Sequence, residues 1–195
     1  NYFNVVIDDT DNNVDTFQLS NNLRAYGDVT ITTGSLDLST GNRTLTLTCI
    51  DGGCSHGTLT LAAGALSAAT GDINADGAVT LTGGTLTAPN SAHSFTVAGN
   101  FTHSTGGTFT HSSGTVTFDG ASQGVLGDQA TAFYGLSKIA STATPTFTFT
   151  KDATTTIAGN FVLQGALGNI MNIQSSLAGT QATVTNGAFV TIHNL

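Results

Sequence analysis

Apolar residues recur at every second position along most of this chain, and threonine fills the places between them. The pattern runs through Val29-Thr30-Ile31-Thr32, Thr44-Leu45-Thr46-Leu47-Thr48, Thr58-Leu59-Thr60-Leu61 and Val79-Thr80-Leu81-Thr82. It continues through Phe95-Thr96-Val97, Thr115-Val116-Thr117-Phe118, Thr146-Phe147-Thr148-Phe149 and Val190-Thr191-Ile192. A period of two puts the apolar side chains on one face of a strand and the threonines on the other. Threonine is β-branched and suits strands, while its hydroxyl stays hydrated on the outer face. Helix-period segments are nearly absent. Glycine pairs such as Gly52-Gly53, Gly83-Gly84 and Gly106-Gly107 punctuate the strands.

A longer repeat overlies this alternation. The template apolar-x-apolar-x-Gly-Asp/Asn-apolar occurs at Leu23 to Val29, Phe95 to Phe101 and Thr155 to Phe161, with a partial copy at Gly71-Asp72-Ile73. A second template, Tyr2-Phe3-Asn4-Val5-Val6-Ile7, recurs as Phe133-Tyr134-Gly135-Leu136-Ser137-Lys138-Ile139. Each copy of the second template leads some 25 residues later into a Gly-Asp or Gly-Asn element. Short strands with tight glycine turns fit a parallel β-solenoid or an antiparallel β-sandwich. The persistent imperfect repeat, the self-similar Thr-x-Thr rows and the small to medium apolar residues favour the solenoid. The expectation is one all-β domain over residues 1–195. At about 20 residues per coil and ~4.8 Å per coil it would be roughly 45 Å long. Residues 140–146, with Pro145, break the rhythm without forming a linker.

Three segments together resemble known proteins: Phe133-Tyr134-Gly135-Leu136, Thr154 to Phe161, and Ile170 to Thr183 with its Ser-Ser…Gly-Thr-Gln stretch. They are similar to very long, repeat-rich bacterial surface proteins with adhesin-like β-solenoid arrays. The resemblance implies a secreted or surface-displayed β-helical module with a structural or adhesive role. It brings no catalytic residues with it.

Charge narrows the function classes. Asp and Glu number 12 against 4 Lys and Arg, a net charge of −8, and only 8% of residues are charged. That excludes the basic patches needed to hold nucleic acid or an anionic membrane. No stretch approaches the ~20 apolar residues of a membrane span. The chain starts at Asn1 instead of Met, which reads as a processed product or an excised piece. An uncharged, lysine-poor surface suits a protein that persists outside the cell. Cys49 and Cys54, separated by Ile-Asp-Gly-Gly, are candidates for a local disulfide in an oxidising compartment. The spacing to His56 does not fit a haem-attachment motif.

Four further groups carry candidate chemistry. Asp72, Asn74 and Asp76, followed by Gly77, supply alternate oxygen ligands like the first half of a calcium loop. Position 12 of that loop is Gly83 instead of an acid, and Asx-rich turns produce the same letters. Asp8, Asp9 and Asp11 cluster as the acids of a polysaccharide-cleaving coil face do, but no basic or histidine partner adjoins them. His103 and His111 lie eight residues apart and would meet on an outer face as metal ligands, or stand there as ordinary polar residues. Asn42 and Asn100 begin N-glycosylation sequons.

The ends suggest the function. Tyr2, Phe3, Val5 and Ile7 at the start, and Phe189, Val190 and Ile192 at the end, are strand-like and carry no helical or charged cap. The expectation is a non-enzymatic structural subunit of an extracellular filament, copies joining head to tail, with no cofactor unless calcium binds. The alternatives are a segment of a long surface adhesin and a monomeric module that binds ice or glycans.

Overall fold

The computed structural model describes residues 3–10, 15–48, 57–140 and 145–193. No helix occurs among them. Short strands follow one another in sets of three. The first three sets are β1 (Val5–Ile7), β2 (Thr16–Gln18), β3 (Leu23–Ala25); β4 (Val29–Ile31), β5 (Ser35–Asp37), β6 (Thr44–Leu47); and β7 (Leu59–Leu61), β8 (Ala65–Ser67), β9 (Asp72–Ala75). The next three are β10 (Val79–Leu81), β11 (Thr85–Thr87), β12 (Phe95–Val97); β13 (Phe101–His103), β14 (Thr108–Thr110), β15 (Thr115–Phe118); and β16 (Gln123–Leu126), β17 (Thr131–Phe133), β18 (Gly135–Ile139). The last two are β19 (Thr146–Phe149), β20 (Thr154–Ile157), β21 (Phe161–Gln164); and β22 (Asn172–Ser175), β23 (Thr183–Asn186), β24 (Val190–His193).

Every third strand returns to the same sheet. The first face is β1-β4-β7-β10-β13-β16-β19-β22, and the third is β3-β6-β9-β12-β15-β18-β21-β24. The second face is β2-β5-β8-β11-β14, followed by a separate sheet β17-β20-β23. All of these pairings are parallel and in register, as in Val79 opposite both Leu59 and Phe101. The protein is therefore a β-solenoid, and the antiparallel sandwich is excluded.

Coil length is less regular than the sequence repeat leads one to expect. Leu59 to Val79 spans 20, but Val29 to Leu59 spans 30. Seven steps along the first face carry the chain from Val5 to Ser175, a mean of about 24 residues. Eight rungs at ~4.8 Å give a stack of roughly 38 Å, shorter than the ~45 Å expected. The strands themselves stay at three to five residues in short and long coils alike.

Alternation explains the core. Inward residues form vertical columns such as Val29, Leu59, Val79, Phe101 and Val125, all fully buried. Towards the later coils the column residues become aromatic. Phe101 packs edge-on against Phe109 and Phe133, with centroids at 5.0 and 5.4 Å. Phe118 meets Phe147 the same way at 5.0 Å. Glycine turns the first corner. A Cβ on Gly84 would lie 2.3 Å from the Gly64 carbonyl oxygen, and one on Gly64 would lie 2.7 Å from that of Gly34. Successive coils stack here backbone on backbone, with no room for a side chain.

Candidate functional site at the two ends of the stack

The inward columns change exposure abruptly at the last rung. On the third face Leu163 is 2% exposed, and Ile192 directly beside it in register is 49% exposed. Phe161 and Val190 repeat the jump, from 7% to 49%. Phe149, Phe161, Leu163, Ile173, Val184 and Ile192 line an open apolar depression of about 420 Å³ at this end. The first rung mirrors it. Val5, Ile7, Phe17, Leu19, Leu23 and Leu36 line a depression of about 490 Å³. Phe17 continues the column of Leu36, which is fully buried, yet is itself 44% exposed. Both ends thus present the core in cross-section, with the three sheet edges around it.

The residues singled out from sequence fall partly on these ends. Val5 and Ile7 point inward on β1, and Val190 and Ile192 on β24. Phe3 and Phe189 lie in the adjoining turns, 53% and 80% exposed, and the Phe189 carbonyl accepts a hydrogen bond from the Phe161 N–H. Tyr2 lies outside the described residues. Phe17, Ile173 and Val184 also form the ends and were missed. Only the pairing of their strands into the end rungs identifies them.

The other candidates are placed elsewhere. Asp72 and Asn74 point outward from β9 while Ile73 and Ala75 fill the core. Asp72 Oδ1 accepts from the Ser94 N–H and hydroxyl at 2.8 and 3.1 Å, and Oδ2 from the Thr44 hydroxyl at 3.3 Å. His93 Nδ1 stands 3.4 Å from the same carboxylate. Burial by itself would raise the Asp72 pKa, but the Ser94 hydrogen bonds, His93 and Thr44 outweigh it and hold the group below its ordinary value. Asn74 Oδ1 accepts from the Thr96 hydroxyl at 2.7 Å. These oxygens tie neighbouring coils together. The Asp76 N–H donates to the Leu47 carbonyl. Among the described residues no three His, Cys, Asp or Glu side chains gather as a metal site would require.

Asp8 and Asp9 fold into a turn centred on Thr33, whose hydroxyl bonds the Asp8 carboxylate and the Asp9 carbonyl. Asp9 Oδ2 accepts from the Asp15 N–H at 2.9 Å. Asp11, Cys49, Cys54 and His56 lie outside the described residues. Asn42 is exposed in a turn, in the left-handed region with φ +53°, and Asn100 is exposed just before β13.

The histidine expectation is corrected. His103 is not on the outer face but continues the inward column of Leu81, and it is 4% exposed. Its Nε2 donates to the Gly107 carbonyl at 3.1 Å, and Nδ1 lies 3.0 Å from the Thr131 hydroxyl. His111 instead faces Tyr134, with ring centroids 6.0 Å apart. Parity decided this: His103 sits two residues from Phe101 and so shares its inward face.

One buried ion was not foreseen. Lys138 follows Phe118 in an inward column of the third face and is fully buried. Its Nζ donates to Gln123 Oε1 at 2.6 Å and to the Gly120 carbonyl. Gln123 Nε2 in turn donates to the Val97 and Gly99 carbonyls at 2.7 Å each. The two side chains thus link the Gly120 carbonyl of the corner at 119–122 to the Val97 and Gly99 carbonyls of the coil below, where Val97 also accepts from the Asp119 N–H. Burial lowers the Lys138 pKa to about 8, against the opposing pull of the Asp119 carboxylate.

Comparison with known proteins finds no matching family model, no matching curated protein and no matching solved structure.

Proposed function

We propose that this chain is a structural, non-enzymatic element of an extracellular or cell-surface fibre, its two open ends covered by further coils of the same kind. The observation that carries this reading is the jump in exposure from 2% at Leu163 to 49% at Ile192, matched at Phe17 on the opposite end. A solenoid needs polar caps where it faces water, because an open end offers both strand edges and core to a neighbour. The acidic side chains whose contacts are described serve the scaffold: Asp72 bridges coils, and Asp37 accepts from the Thr40 hydroxyl at 2.6 Å. In the first form of the proposal the covering coils belong to copies of this chain. In the second they are its covalent neighbours in a longer bacterial adhesin, as the sequence resemblance implies. The intact mass of the native polypeptide, with electron microscopy of the native material, tests it. Filaments built from chains of 19.7 kDa support the first form, and a much larger polypeptide with the same rod supports the second. Dispersed particles of the single-chain mass overturn both.

One observation favours a second reading. Thr30, Thr60, Thr80 and Thr102 stand in one outward column on four consecutive rungs of the first face. Two waters hydrogen-bonded to a common water at 2.7–2.8 Å lie about 4.5 Å apart, close to the ~4.8 Å rung spacing. Such a column can order water in an ice-like array. Thermal hysteresis of the purified chain tests this, and its absence removes the reading.

A further inference from the structure

The second face of the stack is interrupted once. Its ladder runs β2-β5-β8-β11-β14 and stops, and β17-β20-β23 form a sheet of their own, while the first and third faces continue through all eight rungs. The interruption falls between the fifth coil, β13 to β15, and the sixth, β16 to β18. The chain takes a different path on its two sides. In β5, β8 and β11 the middle residue of the strand is buried, whereas Ala132 in β17 and Thr156 in β20 are exposed between two buried residues. Residues 111–114 separate β14 from β15, but Tyr134 alone separates β17 from β18. The first face is also narrowest here. β13 pairs with β16 through two residues, and every other pair on that face joins through three or four. Only the third face crosses at full width, with four residues of β15 on β18.

The core changes character at the same place. Among the described residues the buried side chains from Leu23 to Val97 are apolar, and the buried polar ones are His103, Gln123, Thr131, Lys138, Thr150 and Thr155, all in the fifth coil or beyond. Gln123 and Lys138 reach across the interruption to carbonyls of the coils below. Each of these groups loses water when the sixth coil closes on the fifth and regains it on opening. Local strain adds to this. Ser113, in the last corner of the fifth coil, has φ +62°, and His111 Nδ1 is buried there without a hydrogen-bond partner among the described residues. What spans the second face in place of a ladder is one ring: Phe133 packs on Phe101, Phe109 and Phe118 with centroids at 5.4, 5.3 and 6.5 Å. We infer that the solenoid is two cooperative blocks, coils 1–5 and coils 6–8, and that coils 6–8 open as a unit at this seam while coils 1–5 stay closed. The stability of stacked coils is a sum over coils and the interfaces between them, so a weak interface divides the stack. The inference does not depend on the fibre reading. A rod of either form has, at this seam, a place to yield without losing its first five coils.

Native-state hydrogen exchange of the whole chain, read by mass spectrometry of peptic fragments, tests it. Coils 2 and 7 lie one rung from an end of the stack, and coils 3 and 6 two rungs, so fraying alone lowers protection equally within each pair. The seam gives a step instead: the amides of β16 to β21 should exchange through an opening at least about tenfold more frequent than the one that exposes β4 to β12. Two variants separate the blocks. Leu66→Ala truncates a buried side chain in coil 3, and Ile157→Ala one in coil 7. With Leu66→Ala the protection of β4 to β12 should fall by at least about 30-fold. That of β16 to β21 should stay within about threefold of wild type, because coil 3 is intact in both the closed and the opened form. Ile157→Ala should lower protection in both blocks, since global unfolding gives up its contacts as well. If Leu66→Ala lowers both blocks alike, coils 6–8 do not open by themselves and the inference is overturned. A loss of protection that runs smoothly and symmetrically inward from both ends of the unsubstituted chain overturns it too, and that measurement needs no variant to fold.

Discussion

Replacing Lys138 by methionine separates the cost of a buried charge from the value of its hydrogen bonds. The ammonium is fully buried, and among its described contacts it donates to two neutral acceptors, Gln123 Oε1 and the Gly120 carbonyl. Its pKa falls from 10.5 to about 8 on folding. Between those values the unfolded chain binds the proton that the folded chain has released, so stability rises with pH through that window. At about 1.4 kcal/mol per tenfold the full penalty below pH 8 is about 3 kcal/mol. From pH 7 to pH 10 the wild type should recover about 2.5 kcal/mol from this group. Lys138→Met removes the penalty but leaves two buried acceptors without their donor, at about 1–3 kcal/mol each. The variant should therefore lie within about 3 kcal/mol of wild type at pH 7 and fall behind it by a further 2.5 kcal/mol or so at pH 10. Urea unfolding at both pH values measures the difference, and subtracting the variant cancels every other titrating group. Equal pH slopes for the two proteins would refute the argument, because a lysine with an unshifted pKa contributes no slope in that window.

Three other outcomes follow from the packing and the rung bonds. Phe101→Ala should cost about 3–5 kcal/mol in urea unfolding, since the ring is fully buried against Phe95, Phe109 and Phe133. Gly127→Ala should cost at least about 2 kcal/mol, because φ is +106° there and a Cβ would lie 2.0 Å from the His103 carbonyl oxygen; an unchanged melting temperature would contradict that corner geometry. Asp72 has a lowered pKa in the folded state, so its contribution is present above its ordinary value of 3.8 and is lost as pH falls through the folded value. Asp72→Asn should flatten the acid limb of a stability–pH curve and leave the alkaline limb unchanged.

Much of the fold was written in the alternation. Wherever a Thr-x-Thr pair flanked an apolar residue, parity alone assigned inside and outside, and β4, β7, β10 and β12 bear it out with their buried-partial-buried pattern. Lys138 and Gln123 escaped notice because parity places a residue inward without saying why a polar one is tolerated there. The reason is a set of backbone acceptors that sequence does not display: the Gly120 carbonyl in the corner between β15 and β16, and the Val97 and Gly99 carbonyls one coil below. The end sites were half visible. Val5, Ile7, Val190 and Ile192 belong to terminal strands of the chain, but Phe17, Ile173 and Val184 become terminal only when the coil is closed and the last rung defined.

The two sequence templates look serial along the chain but are vertical neighbours in space. Val29 of the glycine template sits in register on Val5, and Phe161 on Leu136. A Cβ on Gly27 would lie 2.4 Å from the Phe3 carbonyl oxygen, and one on Gly159 would lie 2.9 Å from that of Tyr134. The glycine of one template thus lies under the aromatic residue of the other in both copies. Yet the first pair stands at the entry to the first face, and the second at the entry to the third face. The sequence repeat therefore encodes a corner and the rung stacked on it, not a fixed side of the solenoid. Two different corners take it, and both use a side-chain-free position where two coils touch. Short and long coils nonetheless stack in one register, because the short strands stay aligned from rung to rung. That alignment is also why an end rung can be continued by any coil that supplies three such strands.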